Sequence, residues 1–375
     1  MKQPVVVQHS IELPFKGPPV LATGSYFRNA LCITSGDRAY LTSPLGDLDT
    51  AAICTDHEVA ATEVMVWQGT IPAVIARGLD PDVHSSRFAI ELAGNLGVPN
   101  LAVQHHHAHV AAVCAEHALM EPVVGLVLDD RGMGSDGACW GGELLRVDGA
   151  NFERLGHLLP LVKPGGDIAL RETWRLAAGV LHHLQRTGEI RTRFREYPAS
   201  ADLVTMLTEG RNCPPTSSAG LLIVAAANLL RLNIPNNLHA GAMMVLEEAA
   251  VRYFRGNYAP IKEGLWRIDS DGRLDLYPLL SNLADEENVE KGAATLHANL
   301  IAGAAEWTAN ACAATKTRVV VLAGAAMCNY LLATGLRDTL EMRGLTVVEA
   351  TKLLPDDSSI ALGQAWVALR SELQN

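Results

Sequence analysis

The 375-residue sequence is short of several features that would settle its class at once. It has no CxxC pair. Its seven cysteines, Cys32, Cys54, Cys114, Cys139, Cys213, Cys312 and Cys328, are odd in number and scattered, which excludes a zinc finger or a disulfide framework and fits reduced thiols in a cytoplasm. No uncharged apolar run approaches the roughly 18 to 20 residues that span a bilayer. The N-terminal stretch "MKQPVVVQHSIELPFKGPP" lacks the long apolar core of a signal peptide, so neither membrane nor export is expected. No lysine- or arginine-rich run is present to neutralise phosphates, and the formal net charge is −11, so nucleic acid is not an expected partner. The phosphate-loop spacings GxxxxGKS/T and GxGxxG are missing too, as is any readable Ser-His-Asp or Cys-His nucleophile set. A protein or small-molecule partner is what remains.

What the chain does have is alternation of strand and helix patterns. "PVLATGS" and "ALCITSGDRAYLTS" read as strands joined by Gly/Asp turns, "DHEVAATEVMVWQG" as a helix, "PAVIARGLDP" as a short strand, and "HSSRFAIELAGNLG" as a helix ended by Gly97. "NLAVQHH" is then a strand, and the alanine-rich Ala108 to Met120 a helix. Such alternation argues a partly parallel sheet. Past Pro122 two apolar strands flank a glycine- and aspartate-rich hairpin, and Arg171 to Ala250 is mostly helical in pattern. "GLWRIDSDGRLDLYPLL" reads as a hairpin with an Asp-Gly turn. A long helix from Lys291 to Ala313, the strand "RVVVLAGAA", a helix from Asn329, the strand "LTVVEA" and a helix from Ser359 complete the pattern. The length suits two lobes.

The chemistry concentrates in "VQHHHAH", Val103 to His109. His105 and His109 are four apart at a strand-to-helix junction, so both rings can lie over one spot, and Asp129 and Asp130 follow one helix and one strand later. Two imidazoles with carboxylates suit Zn2+ or Fe2+ with positions left open. Spacing alone leaves a second reading, hydrogen-bonded histidines without a metal. His106 and His107 are then supporting donors or solvent-facing. The glycines Gly132, Gly134 and Gly137 of "DDRGMGSDG" let a backbone approach a phosphate or simply form a tight hairpin, and "LAGAAMCN" is ambiguous in the same way.

A resemblance narrows these choices. "VLATGSYFRNALCIT" (Val20 to Thr34), "LGDLD" (Leu45 to Asp49), "DPDVHSSRFA" (Asp80 to Ala89) and "VQHHHAHVAAVCAEH" (Val103 to His117) carry it in the first half. "GMGSDGACWGGEL" (Gly132 to Leu144), "PGGDIALRETWR" (Pro164 to Arg175), "PTSSAG" (Pro215 to Gly220) and "LPDDSSIALGQAW" (Leu354 to Trp366) carry it in the second. Across nearly its whole length the chain resembles the C-terminal carbamoyltransferase module of the hydrogenase maturation protein HypF. That module is itself similar to tRNA threonylcarbamoyl transferases and O-carbamoyltransferases.

The resemblance implies an α/β, two-lobed actin-like (ASKHA) fold: residues 1–118 as one lobe, 119–356 as the other, and 357–375 as a helix returning to the first. It implies a metal on His105, His109, Asp129 and Asp357, and a nucleotide side formed by Gly132, Gly134, Ser218, Gly220, Gly324 and Asn329. Arg28, Asp167 and Arg171 are the implied catalytic or substrate-orienting residues, and Arg175 is retained beside them. The implied ligand is carbamoyl-adenylate or ATP, and the implied acceptor is the C-terminal cysteine of a HypE-like partner. Because no segment resembles the adenylate-forming part of HypF, either another polypeptide makes the adenylate or it is not used.

Departures from the family pattern gather on the nucleotide side. Asp129-Asp130-Arg131-Gly132 stands for the usual DGTG, so a carboxylate that repels phosphate is expected at Asp130 unless Arg131 compensates it. Leu221 and Val224 replace a customary arginine and aspartate, Gly324-Ala325 replaces a double glycine, and Ser358-Ser359 replaces the pair after the last aspartate. Arg28 replaces a lysine. Two functional readings follow: a metal-dependent carbamoyltransferase, or a non-catalytic relative that binds or scaffolds in hydrogenase assembly. A transferase with a different acceptor is a third.

Overall fold

The computed structural model describes residues 6–234, 238–258 and 260–372; the N-terminal stretch read above begins outside them. The first lobe runs β1 (Val7–Gly17), β2 (Val20–Ala22), β3 (Cys32–Thr42), α1 (Ala51–Gln68), β4 (Val74–Gly78), α2 (His84–Leu96), β5 (Asn100–Val103) and α3 (His105–Glu116). Its five strands are ordered β1-β3-β2-β4-β5. β2, β4 and β5 are parallel, as the alternating pattern requires, while β1 and β3 add an antiparallel edge.

Two details differ from expectation. β1 is not among the expected strands: its apolar positions alternate over Ile11, Leu13 and Phe15, but Pro14 argues against a strand except at an edge, which is where β1 lies. The Ser35-Gly36-Asp37 segment is not a turn but lies inside β3, where Gly36 at φ 59 stands in an irregular stretch of the β1–β3 register.

The second lobe begins with β6 (Val123–Met133), β7 (Cys139–Asp148), β8 (Asn151–His157) and β9 (Leu161–Val162). The helical middle holds α4 (Trp174–His183), α5 (Ile190–Arg193), α6 (Ser200–Thr208), the short β10 (Pro215–Thr216), α7 (Ala219–Leu229) and α8 (Leu238–Phe254). After the hairpin β11 (Arg267–Ile268) and β12 (Leu274–Asp275) come α9 (Tyr277–Asp285), α10 (Val289–Thr315), β13 (Val319–Ala323), α11 (Tyr330–Met342) and β14 (Thr346–Val348). The main sheet is ordered β14-β13-β6-β7-β10-β9, with β8 paired to β7. Its first three strands are parallel; β13 and the first part of β6 are buried and read as nearly unbroken apolar runs, while β14 is a partly exposed edge.

A 3-10 turn, Asp357–Ser359, leads into the last helix, α12 (Ile360–Glu372). α12 lies on β2, β3 and β4 of the first sheet, α3 lies on β6, β7 and β13 of the second, and the two helices pack on each other. One apolar core therefore runs from sheet to sheet through the α3–α12 pair, with Val110, Ala111, Trp366 and Leu369 buried in it. A separate core fills the second lobe around Trp174, Leu222 and Leu279. Both lobes thus meet at the helix that begins with His105.

Candidate metal centre

Gln104 caps α3, accepting from the His107 N–H at 2.8 Å, and this fixes where the histidine run enters the helix. His105 and His109 then stand one turn apart with ring centroids 4.8 Å from each other. Asp129 reaches them from the second lobe through a break in strand register: Leu128 pairs with Gly142 but Gly132 with Trp140, so residues 129 to 131 bulge opposite a single residue. Such a bulge re-aims a side chain out of the sheet's regular alternation. Asp357 arrives at the start of the 3-10 turn before α12.

One ligand atom from each of His105, His109, Asp129 and Asp357 lies within 4.8 Å of all the others. His105 Nε2 is 3.1 Å from Asp129 Oδ2 and 3.6 Å from Asp357 Oδ1, and His109 Nε2 is 3.4 and 3.5 Å from the same two oxygens. His109 is buried, yet neither of its ring nitrogens makes a hydrogen bond. An imidazole nitrogen facing two carboxylate oxygens without a hydrogen bond fits a divalent cation, and two nitrogens with two oxygens suit Zn2+ or Fe2+. Burial opposes charge on these groups, but the Asp129 and Asp357 carboxylates override it and push the His109 imidazolium up to about 10. Burial likewise opposes ionisation of Asp129, and the positive charge of His109, with the His105 hydrogen bond and charge, holds its carboxyl well below the usual range. The pocket already stabilises positive charge between its carboxylates.

His106 and His107 are buried and point elsewhere, so neither faces solvent as one alternative had it. His106 Nδ1 lies 3.0 Å from Gln104 Nε2 and its ring tilts against Trp140; His107 Nε2 is 3.2 Å from the Gly149 carbonyl. Burial keeps both neutral, His107 falling to about 4.

The other expected site residues divide. Gly132 lies directly under His105: a Cβ there would sit 2.7 Å from the His105 ring. Its missing side chain therefore makes room for the ligand as well as for any phosphate. Gly132→Ala is expected to displace the His105 ring and weaken metal binding about tenfold or more, the scale of changes that misorient a ligand; competition with a chromophoric chelator reads it out. Gly324, at φ 94, lets the turn after β13 approach the Leu128 backbone and Asp129 Cβ, which places the Ala325 N–H 2.9 Å from Asp129 Oδ1. Gly134 belongs to the β6–β7 turn, packed against the Trp140 indole. Ser218 caps α7, and its hydroxyl also meets the Asp130 carbonyl.

Gly220 is buried inside α7, and both ends of the Asn329 amide are used internally, on the Leu332 N–H and on His297 Nε2. Arg28 pairs with Asp356 at 2.9 Å, next to Asp357 of the cluster. Asp167 and Arg171 are exposed on a 3-10 turn, and neither side chain reaches the cluster. Arg175 pairs with Glu172 at 2.7 Å.

A cavity of about 440 Å3 opens against His105 and Asp357, walled by the first lobe and by the β6–β7 hairpin. Phe27, Arg131, Gly132 and Cys139 line it, and the Arg131 guanidinium stands 5.5 Å over the Phe27 ring. Arg131 thus presents a cation beside the candidate metal ligands. Asp130 is less of an electrostatic obstacle than its sequence suggests: burial pushes its carboxyl up to about 8 against the influence of Arg131 and Lys163, with Asp129 and Asp357 assisting. Its bulk at a glycine position remains. Leu221 and Val224 are fully buried in α7 and offer a ligand nothing polar.

Sequence reasoning passed over several polar residues that shape this region. Glu143 is fully buried, accepts from the Gly141 N–H at 3.1 Å and from Ser217 Oγ at 2.5 Å, and pairs with Arg154 at 2.7 Å. Glu116 accepts from the Thr351 and Lys352 N–H groups at 2.7 and 2.6 Å, tying the end of α3 to the segment that leads to Asp357. The available signal was a lone polar residue inside an apolar stretch, as in "WGGELL" and "IALGQAW".

The fold and the His2Asp2 cluster define a two-lobed actin-like α/β protein with a metal-type site where the lobes meet. Two family models match in tandem: the HypF Kae1-like domain over residues 15–116, and the second subdomain of the carbamoyltransferase Kae1-like domain over residues 125–364. The chain belongs to the HypF Kae1-like family. It is 42% identical to carbamoyltransferase HypF2 of Cupriavidus necator, over 96% of this chain and 48% of that protein. It is 41% identical to a carbamoyltransferase HypF homolog of the same organism, over 94% of this chain and 92% of the relative. Among solved structures, full-length HypF in a phosphate- and nucleotide-bound form aligns with TM-score 0.88 and 25% identity, over 98% of this chain and 57% of that one. The chain spans about half the length of the curated HypF proteins it matches, the shorter C. necator homolog excepted. Among the described residues no helix is long and apolar enough to cross a membrane.

Proposed function

We propose that this chain is a metal-dependent carbamoyltransferase module that takes carbamoyl-adenylate and passes the carbamoyl group to the C-terminal cysteine of a HypE-like partner, in the synthesis of the cyanide ligands of nickel-iron hydrogenase. The observation that carries the reading is the convergence of His105, His109, Asp129 and Asp357 on one spot at the edge of a cavity, in a chain of the HypF Kae1-like family. Zn2+ or Fe2+ is the cation this donor set fits, and when bound it supplies Lewis-acid polarisation of a carbonyl or phosphoryl oxygen.

The protein's own groups would bind and orient. Arg131 offers a cation to the phosphate from the cavity wall, and Gly132 and Gly134 keep side chains out of the approach. Arg28 steadies the turn before Asp357 through Asp356, while Asp167 and Arg171 are left facing solvent for substrate or partner. The nucleophile would come from outside. Burial raises the thiol of Cys114 to about 12, which disfavours its thiolate. The adenylate would come from another polypeptide or another part of the same protein. Residues 1–118 and 119–356 form the lobes in this reading, with 357–375 belonging to the first.

Calorimetric titration of metal-loaded protein with ATP or a non-hydrolysable carbamoyl-adenylate analogue tests it. Micromolar binding is expected, lost in a His105→Ala, His109→Ala variant and tightened by Asp130→Gly, which restores the room that Asp130 takes. A metal-loaded protein that binds neither ligand would favour the second reading, a binding or scaffold role in hydrogenase assembly, which the side chains of Asp130, Leu221 and Val224 support.

A further inference from the structure

We infer that Ser25 and Gln364 are positioning residues that aim Asp357 at the metal, an inference that rests on the metal-centre reading above. The two carboxylates of the cluster are held in the same way. Asp129 gives Oδ1 to the Ala325 N–H at 2.9 Å and turns Oδ2 to the histidines. Asp357 accepts from the Ser25 hydroxyl on Oδ2 at 2.7 Å and turns Oδ1 to them. With one oxygen of each carboxylate occupied, each is set to bind through a single atom, which leaves two imidazole nitrogens and two oxygens as the protein's contribution. Outer donors of this kind fix ligand orientation.

Ser25 can do this because its turn is held from several sides. Gly24 takes φ 71 with no room for a Cβ against the Ala30 carbonyl. The Gln364 amide, on α12, grips both polar groups of Gly24: Oε1 accepts from its N–H at 2.9 Å and Nε2 donates to its carbonyl at 3.1 Å. Asn29 Nδ2 donates to the Thr23 and Ser25 carbonyls at 2.9 and 2.6 Å, and the buried His57 Nε2 lies 3.1 Å from the Thr23 carbonyl. The Phe27 carbonyl, 3.1 Å from Ser25 Oγ, competes for its proton, but the carboxylate is nearer and the stronger acceptor. Asp357 and Gln364 lie seven residues apart in the chain, so the segment that supplies the ligand also clamps the turn that orients it. Gln364 is buried among apolar neighbours, where an amide without this pairing would be costly.

The test is titration of the metal-free protein with Co2+, followed by its visible absorption and by Zn2+ competition. Ser25→Ala is expected to weaken Co2+ binding by about 10- to 100-fold and to change the absorption band, because Asp357 is free to rotate. Ser25→Thr, which keeps the hydroxyl, restores both. Gln364→Met is expected to act in the same direction; should it fail to fold, the Ser25 pair decides alone. Melting of the metal-free variants separates orientation from general damage. Unchanged affinity and spectrum in Ser25→Ala, beside a protein whose Co2+ binding needs His105 and His109, would overturn the positioning role and leave the metal centre standing. No Co2+ binding by the unaltered protein would overturn both.

Discussion

His105→Ala combined with His109→Ala yields a folded protein that retains no stoichiometric divalent metal. Both nitrogen donors of the cluster are lost, a larger change than the outer-group substitutions that already cost about 10- to 100-fold in affinity. Two carboxylates from different lobes are left, each still tied to its own protein donor, Asp129 to the Ala325 N–H and Asp357 to Ser25. With no cation and no imidazole between them the two carboxylates repel each other, which costs some stability without undoing the fold. The fold persists because the α3–α12 contact is made by other residues, among them Ala108, Ala111, Ala112, Ala361 and Ala365. Metal analysis after desalting, with circular dichroism on the same sample, checks both halves of the expectation. Stoichiometric metal in the doubly altered protein would sink the assignment of the histidines.

The largest structural effect is expected at Gly363. A Cβ on this residue would fall well inside contact distance of the Ala108 carbonyl, and behind that oxygen is helical backbone, not a side chain that can rotate away. Gly363 is what lets α12 approach α3 so closely, and Ala108 sits in the chain between the two histidines of the cluster. Gly363→Val therefore forces the helices apart at the point where the metal site and the inter-sheet core coincide. Overpacking that forces backbone shifts costs roughly 1–3 kcal/mol, occasionally more. Denaturant unfolding should show the loss directly, and the metal content should fall with it because Asp357 is carried on the segment displaced. A variant with unchanged midpoint and unchanged metal would mean that the two helices tolerate separation, and that α12 does not set the position of Asp357.

Much of this molecule is readable from its residues. The parallel strands, the long helix over Val289–Thr315 and the strand-to-helix junction at His105 follow from periodicity and from apolar runs bounded by glycine, because these patterns answer to local backbone geometry. The four-residue spacing of His105 and His109 likewise implies two rings on one face. Where the pattern is weak or interrupted it points elsewhere: the proline of β1 argues against a strand, and Gly36 of β3 suggests a turn although it lies within the strand.

Long-range placement is what separates the remainder. No spacing connects Asp129 with Asp357, which lie on different elements and meet only because the β6 bulge turns one toward α3 and the α12 crossing delivers the other. Ser25, Glu116 and Gln364 are ordinary polar residues until the fold shows what each one holds. Asp130 reads as an ordinary charge in the sequence, and its partly enclosed setting pushes its carboxyl up to about 8. Local pattern and family resemblance account for most of the elements, the paired histidines and the two carboxylates expected beside them; the distances at which the four side chains converge, and the outer groups that meet Asp129 and Asp357, come from the fold, because those contacts join residues far apart in the chain.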